Sequence, residues 1–372
     1  MYLTWLGQGG FIVEQDGCRL VIDPYLSDCL AARGFARSFP SPVAPAHLHA
    51  DAIICTHDHG DHFDPDSVLP AVEARPETTV LGPASVVKDG AELGLRVQAL
   101  PSGHAATALG PFRLRTVPAH HSDPDAIGLI IEAGGLRLYL TGDTTYADDL
   151  APAALACGPI DLLLICINGK LGNMTAEEAV KVTAAIRPRL AIPMHYGMFP
   201  VNTADPQTFL APVRKLGLAA RELPLAVPVP ILPFRGIVPP VVTPLNPDES
   251  LDEPSFCQLL DNLAAAELPA LFLCGTAGLG PALTDAVYAR VLSVAMARVG
   301  KRLPLLAGVM EPSTGRTIAR LKLAESLGFR YAVVSVPYFF APRSEAEFTA
   351  HFEACAAATA MTILPYNLPQ YT

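Results

Sequence analysis

The heptapeptide THDHGDH at positions 56–62 constrains this chain more than any other segment. It places His57, His59, Asp61 and His62 directly after the apolar run DAIIC. Such a run is typical of a buried strand, so these side chains are expected on a loop at the end of that strand. Imidazole and carboxylate groups are ligands of Zn²⁺ and Mn²⁺, and alternate loop residues can face two different ions. The motif therefore predicts part of a metal site and not a solvated turn.

Further ligand-type residues follow later strand-like runs. His121 comes after FRLRTVPA and its neighbour His120, Asp143 comes after LRLYLTG, and His195 comes after LAIPM. If these runs are strands that end at one edge of a sheet, the three residues lie beside the heptapeptide. The sequence leaves open whether His120 or His121 is the ligand.

Composition limits the class of protein and its partners. At 372 residues the chain exceeds one ordinary domain, and 51% hydrophobic with 17% charged residues indicates a packed globular protein. The net charge of −10, with no basic run, argues against nucleic acid as a partner. A signal-peptide pattern and a membrane-length apolar run are both missing, and the eight cysteines form no CxxC motif. We expect a cytoplasmic protein that acts on a small molecule.

The pattern of strands and helices changes near residue 230. Up to about residue 225, strand-like runs alternate with turns, and Thr175 with Glu178 predicts a capping box at the start of a helix. Four prolines in residues 223–235 favour an extended linker. Beyond it, apolar strands alternate with amphipathic helices, which indicates a parallel sheet covered by helices. The predicted division is a domain at 1–225, a linker at 226–235 and a domain at 236–372. The second domain is predicted to begin with a strand at 236–245 and to contain helices at 253–266, 284–298, 314–327 and 344–358.

The first part resembles a known superfamily. THDHGDH, TGDT and PMHY are similar to the motifs of the metallo-β-lactamase superfamily, whose αββα sandwich carries two metal ions at one edge. WLGQGGF, IDPYLSD, INGKLGNMTAEEA and PMHYGMFPVNTADPQTF resemble the branch that contains L-ascorbate-6-phosphate lactonase. The resemblance covers residues 1 to about 225.

This resemblance implies a fold, a ligand set and a cofactor. The fold is the αββα sandwich of the α/β class, and the cofactor is two divalent metal ions, Zn or Mn. One ion is held by His57, His59 and His121, the second by Asp61, His62 and His195, and Asp143 bridges the two; the family pattern favours His121 over His120.

The chemistry of such a site is hydrolysis. A water shared by two cations has its pKa drawn toward neutrality and becomes a nucleophile, while one cation polarises the carbonyl under attack. We predict Asp61 and His62 as catalytic residues, because Asp61 can orient that nucleophile or take its proton. The candidates for substrate contacts are Asn168, Lys170, Tyr196, Arg33 and Arg37, of which the two arginines could hold an anionic group.

The second part resembles a different family. GIVPPVVTPLNPDESLD, GTAGLG and PYNLP are similar to the N-terminal half of the dihydrodipicolinate synthase and N-acetylneuraminate lyase family. That family folds as a (β/α)₈ barrel and uses a lysine Schiff base on its sixth strand. Tyr366 matches the family's proton-relay tyrosine and Thr276 its carboxylate-binding turn, but no lysine follows Tyr366. Lys301 and Lys322 fall where surface residues are expected. The resemblance implies an incomplete barrel half with a vestigial relay.

An incomplete barrel leaves strands unpaired, which favours association with other chains, and we expect a homo-oligomer. Such a half barrel is expected to be either a truncated chain or a fragment that needs a partner. The predicted activity is that of a metal-dependent hydrolase that opens a sugar-type lactone or cleaves a related small ester. The alternatives are a phosphodiesterase or nuclease on the same metal site, a Schiff-base lyase of 2-oxo acids if the barrel is completed, and a metal-binding module without catalysis.

Overall fold

The computed structural model describes all residues except 102, 104, 233, 235, 267, 340, 341 and 369–372. The chain divides into two compact units, Met1–Ile231 and Leu232–Thr372. This division lies inside the proline-rich segment that the sequence predicts as a linker. In the described part of the chain, no helix combines the length and apolar character that crossing a membrane requires.

The first unit contains two sheets and the helices that cover them. Its strands are β1 (Tyr2–Gly7), β2 (Gly10–Gln15), β3 (Cys18–Ile22), β4 (Ala52–Ile54), β5 (Thr79–Gly82), β6 (Val97–Ala99), β7 (Thr107–Leu109), β8 (Phe112–Pro118), β9 (Ile127–Ala133), β10 (Leu136–Leu140), β11 (Leu162–Cys166), β12 (Leu190–Met194) and β13 (Val229–Pro230). Its helices are α1 (Pro65–Ala74), α2 (Ala84–Glu92), α3 (Leu150–Leu155), α4 (Ala176–Ile186) and α5 (Gln207–Lys215). One sheet has the order β13-β1-β2-β3-β4-β5-β6, and the other has the order β12-β11-β10-β9-β8-β7.

The two sheets share one hydrophobic core, and the alternation of strand residues decides which side chains enter it. In β4, Ala52 and Ile54 belong to the core between the sheets, whereas Ile53 belongs to a second cluster with Val68 of α1 and Val86 of α2. Burying a larger aliphatic side chain such as Ile53 or Ile54 contributes about 1.5–3 kcal/mol. The capping box at Thr175 and Glu178 is present at the start of α4, as predicted. The unit is therefore the αββα sandwich.

The strand directions bring several loops to one edge. β3, β4 and β5 are parallel, and so are β10, β11 and β12. β8 and β10 both pair antiparallel with β9, so their carboxyl ends also lie at the same edge. After β10 the chain turns at Gly142, whose φ is +62°, and a Cβ there would lie 2.7 Å from the carbonyl oxygen of Ile127. Only glycine fits this turn, which leads directly to Asp143.

The second unit is a four-stranded parallel sheet in the described residues, with the order β14-β15-β16-β17. Its strands are β14 (Leu271–Leu273), β15 (Leu305–Val309), β16 (Tyr331–Ser335) and β17 (Thr362–Tyr366), and its helices are α6 (Glu253–Ala265), α7 (Asp285–Val299), α8 (Thr314–Ser326) and α9 (Glu345–Ala357). The sheet does not close into a barrel over these residues. The unit is an incomplete (β/α)₈-type barrel half, as predicted.

The strand predicted at 236–245 is wrong. Only an isolated bridge between Pro240 and Phe272 marks its place beside β14. Pro239, Pro240 and Pro244 have no backbone N–H to donate, so this segment cannot form a regular hydrogen-bonded ladder. The four predicted helices begin and end within one residue of the observed ones.

Candidate metal centre

The strand ends of the first unit assemble the seven predicted ligands. His57, His59, Asp61 and His62 lie on the loop after β4. The other three come from the loops after β8, β10 and β12, and they are His121, Asp143 and His195. Among these seven residues, three groups of ligand atoms lie close enough to share an ion: His57, His59 and His121; His57, His62 and Asp143; and Asp61, His62 and His195.

In the first group, formed by His57, His59 and His121, the imidazole nitrogens that point inward contact one another or have no hydrogen-bond partner among the described residues. His121 Nε2 lies 3.1 Å from His59 Nδ1. His57 Nε2 is buried and has no hydrogen-bond partner in the described part of the chain. The opposite ring nitrogens are occupied: His57 Nδ1 lies 3.1 Å from Thr56 Oγ1, and His121 Nδ1 lies 3.0 Å from the Gly172 carbonyl oxygen. The nitrogens that remain available to an ion are therefore those that face the centre of the group.

The group of Asp61, His62 and His195 is held together by carboxylates. His195 Nε2 lies 3.4 Å from both His62 Nε2 and Asp61 Oδ2. Asp143 Oδ2 lies 2.9 Å from His195 Nε2, 3.5 Å from His62 Nε2 and 4.0 Å from His121 Nε2. Asp143 Oδ1 is buried without a partner among the described residues. Asp143 is thus the carboxylate within reach of both groups.

The structure also separates the two adjacent histidines. The side chain of His121 is 1% exposed and belongs to the cluster. The side chain of His120 is 43% exposed, and its Nε2 lies 2.8 Å from Asp149 Oδ1 at the surface. His121 is therefore the member of this pair that the fold brings to the site.

Asp23 and Thr56 support the ligands, and neither is predicted from the sequence. His62 Nδ1 donates to Asp23 Oδ2 at 2.7 Å, so its Nε2 lone pair faces the site. Thr56 donates to Asp23 twice, from its backbone N and from Oγ1, both at 2.7 Å. Asp23, Thr56 and His62 are completely buried. The signal that could have found Asp23 is its position directly after the apolar β3, the same rule that located the ligands.

The loop between β11 and α4 supplies further supports. Asn173 Nδ2 donates to Asp143 Oδ2 at 2.7 Å, next to Gly172, whose carbonyl holds His121. On the opposite side, Ser122 Oγ lies 3.1 Å from His59 Nε2. Metal-binding side chains are usually oriented by such outer contacts. Asn173 and Ser122 were not predicted, because an amide or a hydroxyl in a loop is common and carries no sequence signal of its own.

The electrostatics of the cluster favour positive charge at its centre. Burial opposes protonation of His195, but Asp143 and Asp61 outweigh it and raise the pKa of His195 to about 9. Burial acts in the same way on His62, and Asp143 and Asp23 raise its pKa well above the ordinary value. For Asp143 the charges of His195 and His62 overcome burial and hold its pKa well below its usual range. The buried carboxylates thus require cations beside them.

These features fit divalent cations. The donor set is imidazole and carboxylate, the ring nitrogens that face the centre are unpartnered or meet other ring nitrogens, and a buried carboxylate oxygen has no donor. An ion would satisfy all of these groups, whereas a packed apolar core would leave them unsatisfied.

Comparison with known proteins agrees with the fold and the site. The profile of the Beta-lactamase superfamily domain matches residues 18–196. A UPF0173 metal-dependent hydrolase of Carboxydothermus hydrogenoformans is 30% identical over an alignment of 233 residues, and the match covers 60% of this chain and 96% of that protein. The chain belongs to the UPF0173 metal-dependent hydrolases. It is therefore an enzyme, and its hydrolase unit resembles the metallo hydrolase Igni18 of Ignicoccus hospitalis, with a TM-score of 0.52, 25% identity and coverage of 61% of this chain and 97% of that structure.

The second unit of this hydrolase has relatives of its own. The Dihydrodipicolinate synthetase family profile matches residues 233–372. The prophage protein YagE of E. coli is 31% identical over 37% of this chain and 46% of that structure, with a TM-score of 0.36. The chain thus spans less than half of that protein.

The residues predicted to contact substrate lie outside the cluster. Asn168 is buried, and its Nδ2 donates to Asn202 Oδ1 at 2.7 Å. The exposed Lys170 donates from Nζ to the Val201 carbonyl at 3.0 Å. Tyr196 stacks on Trp5 with a ring-centroid distance of 4.9 Å. Their roles as substrate contacts stay predictions.

The two predicted arginines differ in their surroundings. Arg33 is exposed at the end of a short 3₁₀ helix, Ala31–Arg33. Arg37 Nη1 donates to the Tyr25 carbonyl at 2.6 Å, and its guanidinium lies 5.4 Å from the ring centroids of Tyr25 and Phe39. The contacts of Arg37 therefore hold together the loop after β3, and a role in substrate binding stays a prediction for both.

An open cavity adjoins the metal cluster. Its volume is about 380 Å³, and its lining is Ala119, His120, His121, Ser122, Asp123, Pro124, Thr145 and Gly172. His121 belongs to both the cavity lining and the cluster, so the cavity lies beside the first group.

In the second unit, the residues at the carboxyl ends of the strands form another cavity of about 300 Å³. Its lining is Thr276, Leu279, Pro281, Ala282, Met310, Ser335, Tyr338 and Leu368, which includes no lysine. Tyr366, at the end of β17, contacts Phe272 of β14 with a ring-centroid distance of 5.6 Å. Lys301 is exposed at the edge where β15 begins, and Lys322 is exposed on α8.

Proposed function

We propose that this chain binds two divalent ions, Zn or Mn, in the cluster and hydrolyses a small lactone or carboxylic ester. The observation that carries the proposal is the pair of three-donor groups with Asp143 within reach of both. When bound, two such cations lower the pKa of a shared water and polarise the carbonyl under attack. His57, His59 and His121 would hold one ion, and Asp61, His62 and His195 the other.

Asp61 is the residue that we assign to proton transfer. Its side chain is 15% exposed, against 5% for Asp143, so it is the more accessible carboxylate of the pair. Burial opposes its ionisation, but His62 and His195 outweigh this effect and hold the pKa of Asp61 below its usual range. Asp61 is therefore ionised, and its carboxylate can orient the attacking water by accepting a hydrogen bond from it or take its proton. His62, fixed by Asp23, holds its Nε2 toward the same place.

The cavity supports an ester or lactone in preference to a phosphodiester. Its described lining contains one acidic residue, Asp123, and no lysine or arginine. Phosphate recognition commonly uses the charge and the donors of lysine or arginine. Ser122 and Thr145 offer hydroxyl groups instead, which suit the hydroxyl and ring oxygens of a sugar. The assignment to the lactonase-like branch itself depends on the four motifs WLGQGGF, IDPYLSD, INGKLGNMTAEEA and PMHYGMFPVNTADPQTF.

A substrate screen tests the proposal. Purified protein loaded with Zn²⁺ or Mn²⁺ is incubated with sugar lactones, small carboxylic esters, phosphodiesters and RNA, and products are measured by mass spectrometry. We expect hydrolysis of at least one lactone or ester, lost in Asp61→Ala and unaffected by Asp51→Ala before β4. Cleavage restricted to phosphodiesters or RNA would favour the alternative on the same metal site.

A further inference from the structure

A fourth side chain lies at the Asp61, His62 and His195 group. Gln8, in the turn between β1 and β2, is completely buried. Its Nε2 lies 3.0 Å from Asp61 Oδ2, 3.0 Å from His195 Nε2 and 3.2 Å from His195 Nδ1. These contacts converge on the group of Asp61, His62 and His195, which is the proposed site of the second ion.

The backbone of Gln8 is held in place from two sides. Its φ is +49°, in the left-handed region that residues other than glycine seldom adopt. Its carbonyl accepts from the backbone N of His195 at 3.0 Å and from Trp5 Nε1 at 3.1 Å. The next residue, Gly9, runs so close to His62 that a Cβ would lie 2.8 Å from its Cε1. Surrounding contacts that fix an unusual backbone conformation are typical of functional positions.

The other end of the carboxamide has no contact to explain its burial. Gln8 Oε1 is buried and finds no hydrogen-bond partner among the described residues. A carboxamide has a donor end and an acceptor end, which a half-turn of its last torsion exchanges. Ligand atoms about 2.0–2.2 Å from a tetrahedral ion lie roughly 3.3–3.6 Å from one another. The Gln8 Nε2 position is close to that spacing from both Asp61 Oδ2 and His195 Nε2.

We propose that Gln8 is a ligand of the second ion, bound through Oε1 after this half-turn. The proposal builds on the metal centre described above and adds one oxygen ligand to it. Amide oxygen is a ligand that suits Mn²⁺ and other hard cations. The half-turn also moves the amide nitrogen away from His195 Nε2, which needs its lone pair for the ion. The ion gives Oε1 a partner, and the N–H₂ group takes the place that Oε1 leaves.

The test measures binding of Co²⁺ to the full chain by competition with a chromophoric chelator, together with the visible spectrum of the bound ion. Gln8→Met removes the amide at similar length, and Gln8→Glu keeps an oxygen but removes the N–H. Gln15→Met is the matched control, because Gln15 at the other end of β2 is also buried with an unpartnered Oε1, and its Nε2 donates to Asp16 instead.

We expect Gln8→Met to weaken the binding of one ion by at least about tenfold and to change the spectrum. Gln8→Glu should bind Co²⁺ at least as tightly as the wild type with a wild-type-like spectrum, and Gln15→Met should be unchanged. If both Gln8 variants lose affinity to the same extent, Gln8 only donates to Asp61 and the ligand proposal fails. Wild-type affinity in Gln8→Met also overturns it.

Two further results separate this proposal from the metal centre itself. A wild-type chain that binds no Co²⁺ contradicts the centre, and the ligand role of Gln8 falls with it. If circular dichroism shows that Gln8→Met does not fold, Gln8→Glu decides alone: retained affinity and spectrum support the ligand role, and weakened binding contradicts it.

Discussion

The orientation of single imidazole rings decides what this site can bind. His62 and His121 each give Nδ1 to an oxygen of the protein, Asp23 and the Gly172 carbonyl, and turn Nε2 inward. His59 does the reverse, since its Nε2 meets Ser122 and its Nδ1 faces His121. Each outer contact fixes the orientation of one ring, so the inward nitrogens converge on the site, and an ion that binds there displaces the protons of His62 and His195.

Asp23→Asn tests this orientation. The carboxamide either presents a donor to His62 Nδ1–H, or keeps a neutral oxygen there and turns a donor toward the Thr56 N–H. In both orientations His62 is held less firmly in the tautomer with a free Nε2. We expect affinity for one divalent ion to fall about 10- to 100-fold while the fold is retained. Chelator competition measures the affinity. Asp51→Asn, at the opposite end of β4, is the control, and equal affinities in the two variants would contradict the role of Asp23.

At the scale of elements, strand ends explain most of what the sequence reveals about the site. His57, His121, Asp143 and His195 each follow an apolar run, so a sequence pattern alone locates them. Gln8 lies after β1 in the same way, but a glutamine between glycines resembles an ordinary turn. The choice between His120 and His121 depends on side-chain direction, which no spacing rule determines. The strand predicted at 236–245 is wrong for a different reason. The run there is apolar, but its prolines leave too few backbone N–H donors to form a strand.

The second unit contains a pH-sensitive contact between α8, α9 and β16. The buried His351 of α9 donates from Nε2 to the Ser335 carbonyl at 3.1 Å, and its Nδ1 accepts from Thr314 Oγ1 at 2.9 Å. This arrangement uses the neutral ring, and burial lowers the pKa of His351 below its ordinary value. The unfolded chain therefore binds a proton more readily than the folded one. The contribution of this contact to the free energy of unfolding is therefore fully present above the ordinary histidine pKa of about 6.5, and it falls as the pH drops below that value.

Urea unfolding at pH 8 and pH 5 measures this effect. We expect wild type to lose more stability than His351→Gln between the two pH values, as followed by far-ultraviolet circular dichroism. Fluorescence of Trp5, the single tryptophan of the chain, reports the first unit separately and should respond equally in both proteins. An identical pH dependence of the circular dichroism transitions would contradict the assignment to His351.

At the scale of the whole molecule, the chain joins a hydrolase unit to an incomplete barrel half. The sequence predicts both folds because their motifs are local: a histidine cluster after a strand, and strand–helix alternation after a proline-rich segment. It could not predict the supports Asp23 and Asn173, because these act through contacts between distant segments. Association of the open half barrel into a homo-oligomer stays a prediction, since an unpaired strand edge does not specify what pairs with it.

The second unit should have no Schiff-base activity. Such chemistry needs a lysine at the carboxyl ends of the strands, where the cavity with Thr276 lies. Lys301 lies at the opposite edge and Lys322 is exposed on a helix. Incubation with pyruvate and borohydride, followed by intact mass spectrometry, should leave the mass unchanged. A trapped pyruvyl adduct on any lysine would contradict this expectation and favour the lyase alternative.

The metal content of the chain tests the central claim most directly. Protein purified without chelators is analysed for bound Zn and Mn by elemental mass spectrometry, in the wild type and in Asp143→Ala. Seven ligands exceed the four of one tetrahedral ion, so the wild type should carry close to two ions per chain. Asp143→Ala should lose both together, because its carboxylate serves both groups, while circular dichroism shows that it folds. A wild type with a single ion, or an Asp143→Ala variant that keeps two, would contradict the shared two-ion centre.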